Sequence, residues 1–168
     1  MKNKDLEIIN CTAPIVEKIL ESDAAFAQFL NVGLAKDWSI FGKMVFEFVA
    51  KQIETNPNAT EWWSYVICHL PDNKIIGTCG YKGAPDPNGR IEIGYEIAPD
   101  YQNRGLATQV ARLLVENAFA HAHIHEVWAH TIERNNASTR VLEKAGFLFD
   151  CEVMDSEDGL IFRWILKK

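Results

Sequence analysis

The sequence predicts a single-domain α/β (α+β) protein, with helices interleaved among the strands of one mixed, mostly antiparallel sheet of about six to seven strands. Three observations predict this. Apolar residues recur at period 2 in several segments of strand length and at helical spacing in the segments between them. The 168 residues are 48% hydrophobic, enough to bury one substantial core. No repeat, low-complexity block or linker divides residues 1–168.

The elements follow in order. Leu6-Glu7-Ile8-Ile9 reads as a first strand, and the stretch from Pro14 to Asn31 as a helix with its proline in the first turn. Trp38 to Ile53 is a second helical region, broken by Asn56-Pro57-Asn58. Trp62 to Leu70 reads as a strand, Pro71-Asp72-Asn73-Lys74 as a turn, and Ile75 to Tyr81 as the hairpin partner. The loop Pro85-Asp86-Pro87-Asn88-Gly89 leads to a strand at Ile91 to Ile97, which Ala98-Pro99-Asp100 ends. Leu106, Val110, Leu113, Leu114 and Ala118 then recur at helical spacing, so a helix begins close to Arg104 or Gly105. A strand at Glu126 to Thr131, a short helix at Asn136 to Ala145, and strands near Phe147 to Met154 and Leu160 to Leu166 complete the chain.

Composition narrows the function. A net charge of −6 argues against a general nucleic-acid binder, which needs a clustered basic surface. The N-terminal Met1-Lys2-Asn3-Lys4-Asp5 runs into no signal-peptide core, and no run of about 18 apolar residues is present, so a soluble cytoplasmic protein without membrane association is expected. Cys11, Cys68, Cys79 and Cys151 are scattered and read as free thiols. His121, His123 and His125 alternate through a helix-to-strand turn with no carboxylate or Cys completing a ligand set, so no metal is expected.

The chemistry concentrates at Tyr101-Gln102-Asn103-Arg104-Gly105-Leu106-Ala107-Thr108. The first N–H groups of a helix lack intrahelical partners and carry partial positive charge, so a loop of small residues leading into one suits a phosphate. Gly105 and Ala107 let the backbone approach an anion closely, and Arg104 adds a formal charge. No Gly-Lys-Ser/Thr occurs, which argues against a P-loop hydrolase, and no Gly-x-Gly-x-x-Gly, which removes the Rossmann fingerprint.

Gln102-x-x-Gly105-x-Ala107 resembles the Q/R-x-x-G-x-G/A signature of the GCN5-related N-acetyltransferases, the GNAT superfamily. A second segment, Asn135-Asn136-Ala137-Ser138-Thr139-Arg140-Val141-Leu142-Glu143-Lys144-Ala145-Gly146-Phe147, is similar to the N-x-x-S-x-x-V-L-E-K-x-G-F stretch of the branch containing the ribosomal-protein N-terminal acetyltransferases. In local terms Asn135 or Asn136 caps a short helix there, Val141 and Leu142 bury its inner face, and Gly146 ends it.

The resemblance implies a GNAT fold with splayed central strands. The strand carrying Tyr95 to Ala98 would part from the one near Val127 to Ala129, and the pantetheine arm of acetyl-CoA would lie in the gap. Backbone groups of Ile97 and Ala98 would pair with the arm, while N–H groups from Asn103, Arg104, Gly105, Leu106, Ala107 and Thr108, beside Gln102, would hold the pyrophosphate. Asn135 would tether the pantetheine or order a water. Attack on the thioester needs a neutral amine, so a carboxylate must accept a proton. Glu92 and Glu96, on one face of the same strand, are both eligible, with Glu92 nearer the place where the family often keeps its base.

Many members place a Tyr four residues before the Gly of the Gly-Phe pair, but Leu142 stands there. Ser138 matches the position proposed to donate a hydrogen bond to the thioester sulfur in the ribosomal-protein branch. The implied activity is acetyl transfer from acetyl-CoA to a primary amine, a peptide N-terminus or a small amine, by a monomer or homodimer. The alternative is a non-catalytic GNAT-fold module that binds acyl-CoA or another ligand.

Overall fold

The computed structural model describes residues 1–168, apart from the side chain of Asn58, part of the expected break after the second helical region. Eight strands form one mixed sheet: β1 (Leu6–Asn10), β2 (Gly33–Leu34), β3 (Ser64–His69), β4 (Lys74–Tyr81), β5 (Arg90–Ile97), β6 (Glu126–Thr131), β7 (Leu148–Asp155) and β8 (Gly159–Lys167). Their order is β1-β3-β4-β5-β6-β8-β7, with the two-residue β2 pairing beside β4. The β5–β6 and β2–β4 pairings are parallel and the others antiparallel. The helices are α1 (Ala13–Glu21), α2 (Asp23–Leu30), α3 (Lys43–Thr55), α4 (Leu106–Ala120) and α5 (Ala137–Ala145).

Two long helical expectations resolve differently. The stretch from Pro14 to Asn31 is two helices, because Ser22 is extended and its hydroxyl accepts the Ala25 N–H, ending one helix and capping the next. The Trp38 to Ile53 region is helical only from Lys43, because Gly42 takes a left-handed φ of 62° that turns the chain. Residues 38–42 are therefore a loop, and that loop reaches the site. The Trp62 strand likewise starts at Ser64, behind a short 3₁₀ turn over Pro57–Trp62.

The core holds the sheet between helices. Phe26, Trp38 and Phe46 stack their rings where α2 and α3 meet the sheet, with centroids 5.2 and 5.8 Å apart in succession. On α4, Leu106, Val110, Leu113, Leu114 and Ala118 are buried, the face that their spacing predicted.

One irregularity positions the site. β5 pairs with β6 only from Arg90 to Glu92, opposite Glu126 to Trp128, and the pairing stops there. The rest of β5 stays paired with β4 alone, from Ile93 to Ile97. At the last of these pairs β4 carries Gly77, where an added Cβ would sit 2.1 Å from the Glu96 carbonyl oxygen. Only glycine allows that approach.

Candidate active site

The gap beyond Glu92 leaves one edge of β5 without a strand partner. Lys82 N–H donates to the Glu92 carbonyl at 3.0 Å and Ala98 N–H to the Ile76 carbonyl at 2.7 Å, so even-numbered residues turn their main-chain groups toward β4. By alternation, Tyr95 and Ile97 turn theirs toward the gap. The Ile97 carbonyl accepts the Gln102 side-chain amide at 2.9 Å, which ties the loop to the strand. Ala98 departs from expectation. Its N–H is spent on Ile76 and its carbonyl accepts the Tyr101 N–H, so Ile97 has an edge toward the gap and Ala98 does not.

At the end of the gap the chain turns into α4. Asn103 (φ 59°) and Gly105 (φ 75°) are both left-handed, and the first bond of the helix is Gln109 N–H to the Gly105 carbonyl. The N–H groups of Asn103, Arg104, Gly105, Leu106, Ala107 and Thr108 have no acceptor among the described residues. Consecutive left-handed turns with free donors at a helix start form an anion cradle. Arg104 does not point its charge there freely. Its guanidinium donates to the Asp100 carbonyl at 2.6 Å and lies 4.8 Å above the Tyr101 ring.

Gap and cradle share one cavity of about 440 Å³. Its walls include Tyr95, Glu96 and Ile97 from β5, Gln102 to Thr108 apart from Arg104, Ala137 and Ser138 from α5, and Ile40 and Phe41 from the loop before α3. Arg140 and Lys144 add positive charge along α5. Asn136, not Asn135, caps α5: its side chain accepts the Thr139 N–H at 2.9 Å, in a capping box. Asn135 lies instead in a shallow depression with Phe149 and Trp164, outside the cavity.

The two carboxylates separate sharply. Glu92 lies outside the cavity wall, with the Lys82 ammonium and His130 Nδ1 (3.0 Å) on one of its oxygens. Burial pushes its carboxyl up, but His130 and Lys82 outweigh that and hold it below the usual range. A carboxylate stabilised by two such partners is a weak proton acceptor, and Glu92, favoured from the sequence as the base, does not line the cavity. Glu96 is in the wall, 8% exposed, and has no cationic partner among the described residues. Its two oxygens accept the Thr78 hydroxyl at 2.7 Å and the Ile40 N–H at 3.0 Å. That leaves each oxygen a second lone pair.

Tyr95 is the residue that the sequence did not disclose. Its phenol lies 3.0 Å from Ser138 Oγ, inside the same cavity. Burial pushes the phenol up to about 12, against a smaller lowering by Ser138. Leu142, where the sequence lacked a phenol, is fully buried under α5. The phenol arrives from the strand instead. Adjacent residues of a strand point to opposite faces, which puts Glu96 on the Ile40 side of β5 and Tyr95 on the α5 side.

A mixed sheet parted at a parallel pair, with a helix start of free N–H groups at the opening, defines a protein with an open strand edge leading to an anion cradle. Comparison with known proteins fixes the family. The model of the acetyltransferase (GNAT) domain matches residues 15–148, and the chain belongs to this family of acyltransferase enzymes. It is similar to the uncharacterized N-acetyltransferase YoaA of Bacillus subtilis (strain 168), 35% identical over 133 residues covering 76% of this chain and 73% of that protein. It is also similar to the uncharacterized N-acetyltransferase YjdG of the same strain, 29% identical over 101 residues, and the match spans 60% of each.

Among solved structures, the fold is shared with ribosomal-protein-S5-alanine acetyltransferase from Vibrio fischeri, with a TM-score of 0.68 at 16% identity over 99% of this chain and 95% of that one. It is shared equally with the microcin C7 self-immunity acetyltransferase MccE in complex with acetyl-CoA and AMP, with a TM-score of 0.69 at 13% identity over 99% and 94%. No helix of the described residues is long and apolar enough to cross a membrane, and no group of three or more metal-ligating side chains occurs among them.

Proposed function

We propose that this protein transfers an acetyl group from acetyl-CoA to a primary amine by direct attack on the thioester. The observation that carries the reading is the juxtaposition, in one cavity, of an unpaired strand edge, six free N–H groups, an uncompensated carboxylate and a phenol–hydroxyl pair. The N–H groups of Asn103 to Thr108 hold the pyrophosphate and the edge of Ile97 and Tyr95 pairs with the pantetheine arm. The thioester then lies at β5 with Glu96 on one side and Tyr95–Ser138 on the other.

The amine enters from the Glu96 side. Glu96 takes one proton from the ammonium, the freed nitrogen lone pair forms the new C–N bond, and as the tetrahedral intermediate collapses the C–S bond breaks and the nitrogen releases its second proton to water. The sulfur leaves toward Ser138, whose hydroxyl donates to it while Tyr95 donates to Ser138. A phenol near 12 gives up its proton reluctantly to a thiolate whose own pKa is near 8.5, so the pair stabilises the departing charge by hydrogen bonding without full transfer. This assigns roles to Glu96, Ser138 and Tyr95, and leaves Glu92 a structural ion pair.

The test is calorimetric binding of acetyl-CoA, followed by release of free CoA thiol in the presence of alkyl amines and short peptides. Thiol release that depends on an amine, with one equivalent of N-acetyl product by mass spectrometry, is the expected result. Tight binding with no product on any amine favours a non-catalytic acyl-CoA-binding module.

Tyr95→Phe isolates the leaving-group pair. The loss of one donor to a developing charge is expected to lower kcat by roughly tenfold, with the KM for acetyl-CoA nearly unchanged. The wild-type rate should show no limb from Tyr95 below about pH 12, where its phenol stays protonated. Equal kcat in both proteins would remove Tyr95 from the chemistry.

A further inference from the structure

The acceptor side of the cavity has a chemistry of its own. Ile40 donates its backbone N–H to Glu96, yet its side chain is 58% exposed in the cavity wall, and Phe41 beside it is 64% exposed. Met44 (73%) and Phe48 (52%) follow one turn apart on α3. Two exposed large apolar side chains, Ile40 and Phe41, in the same wall as a buried carboxylate are not the surface of a solvated loop. The segment that aims the base also offers the grease.

Charge limits the partner equally. Glu96 is the sole carboxylate in the cavity wall among the described residues, and the other charged side chains there are Arg140 and Lys144. Of the acids on β5 and the loop before it, Glu92 is paired with Lys82 and Asp86 with Arg90, whose Nη2 is 2.6 Å away. A second ammonium group on the acceptor would find no second carboxylate in the cavity wall among the described residues.

We infer that the acceptor is a primary monoamine borne on an apolar or aromatic body, with the nitrogen at Glu96 and the body on Ile40 and Phe41. This rests on the reading that the cavity transfers acetyl groups to amines. The same chemistry can come from a free arylalkylamine or from a peptide N-terminus whose first side chain is large and apolar. A polyamine is the wrong partner for this wall.

The experiment measures kcat/KM at saturating acetyl-CoA for 2-phenylethylamine, ethylamine, spermidine, and tripeptides that differ only in beginning with Phe or Ser. 2-Phenylethylamine should exceed both ethylamine and spermidine by roughly tenfold or more, the range that an apolar pocket commands. With that preference in place, a Phe-initiated tripeptide turned over faster than 2-phenylethylamine, and faster than its Ser counterpart, assigns the source to a peptide; the reverse assigns it to a free amine.

Phe41→Ser, at an exposed position, should keep the unfolding midpoint and the acetyl-CoA affinity while collapsing the phenylethyl-to-ethyl ratio toward one, mainly through KM. Spermidine turned over as well as 2-phenylethylamine, or a ratio unmoved in Phe41→Ser, overturns the inference alone. Bound acetyl-CoA with no amine acetylated overturns the underlying activity as well.

Discussion

Glu96→Gln is expected to lower kcat/KM at pH 7 by roughly 10²- to 10⁴-fold, the range for removal of a general base. An alkyl amine with a pKa near 10.4 is neutral only about once in several thousand molecules at that pH, so without a proton acceptor the enzyme must wait for the rare neutral form. The deficit should therefore shrink by about tenfold per pH unit as the pH rises toward the amine's own pKa. It should also be smaller for a peptide N-terminus, whose pKa is near 8.

The substitution is nearly isosteric: the remaining carbonyl oxygen can keep the Ile40 N–H while the new amide donates to the Thr78 hydroxyl, so the unfolding midpoint should move little. Glu92→Gln gives the opposite pattern: loss of stability, because Lys82 and His130 lose their shared partner at a mostly buried position, with kcat within a few fold of wild type. If Glu92→Gln silences the enzyme while Glu96→Gln is active at pH 7, the base has been misassigned.

That contrast shows where the sequence stopped being legible. Both carboxylates lie on β5 at the same spacing, and nothing local distinguishes them. What does is Lys82 and His130, ten positions before and thirty-eight after Glu92, together with Ile40, fifty-six positions before Glu96. Tyr95 was hidden for the same reason. A family pattern directs attention to position 142 on α5, whereas the phenol beside Ser138 crosses from a strand forty-three residues away.

Features set by local chemistry were legible. The alternation of residues 91–97 became β5, Gly105 became the left-handed cap of α4, and Gly146, at φ 101°, ends α5 as its position implied. The errors in helix bounds also have local causes that periodicity cannot weigh. Ser22 prefers to cap its following helix over continuing the preceding one, and Gly42 frees residues 38–42 to reach Glu96. The two-residue β2 is too short to show any period.

The cradle carries the largest expected loss of binding. Gly105 sits at φ 75°, and a Cβ built there meets nothing within 4 Å, so a side chain strikes no protein atom. Its penalty is conformational, about 1–2 kcal/mol for an L-residue held left-handed and more when β-branched. The open space over it is bounded by the free N–H groups of the loop, where the pyrophosphate would lie. Gly105→Val must either twist the loop, dispersing those donors, or fill that space with methyl groups.

Affinity for acetyl-CoA, measured by calorimetry, should fall at least 100-fold, about 2.7 kcal/mol, while the α4 helix and the unfolding transition persist. Gly105→Ala, with one methyl and a milder strain, should fall between. Arg104→Ala is the informative contrast, since its guanidinium is bound to the Asp100 carbonyl and covers Tyr101, and a charge so placed near a helix start is worth only about 0.3–1 kcal/mol. A loss confined to Arg104→Ala, with Gly105→Val still binding normally, would mean that the anion is held by side-chain charge and that the backbone cradle is incidental.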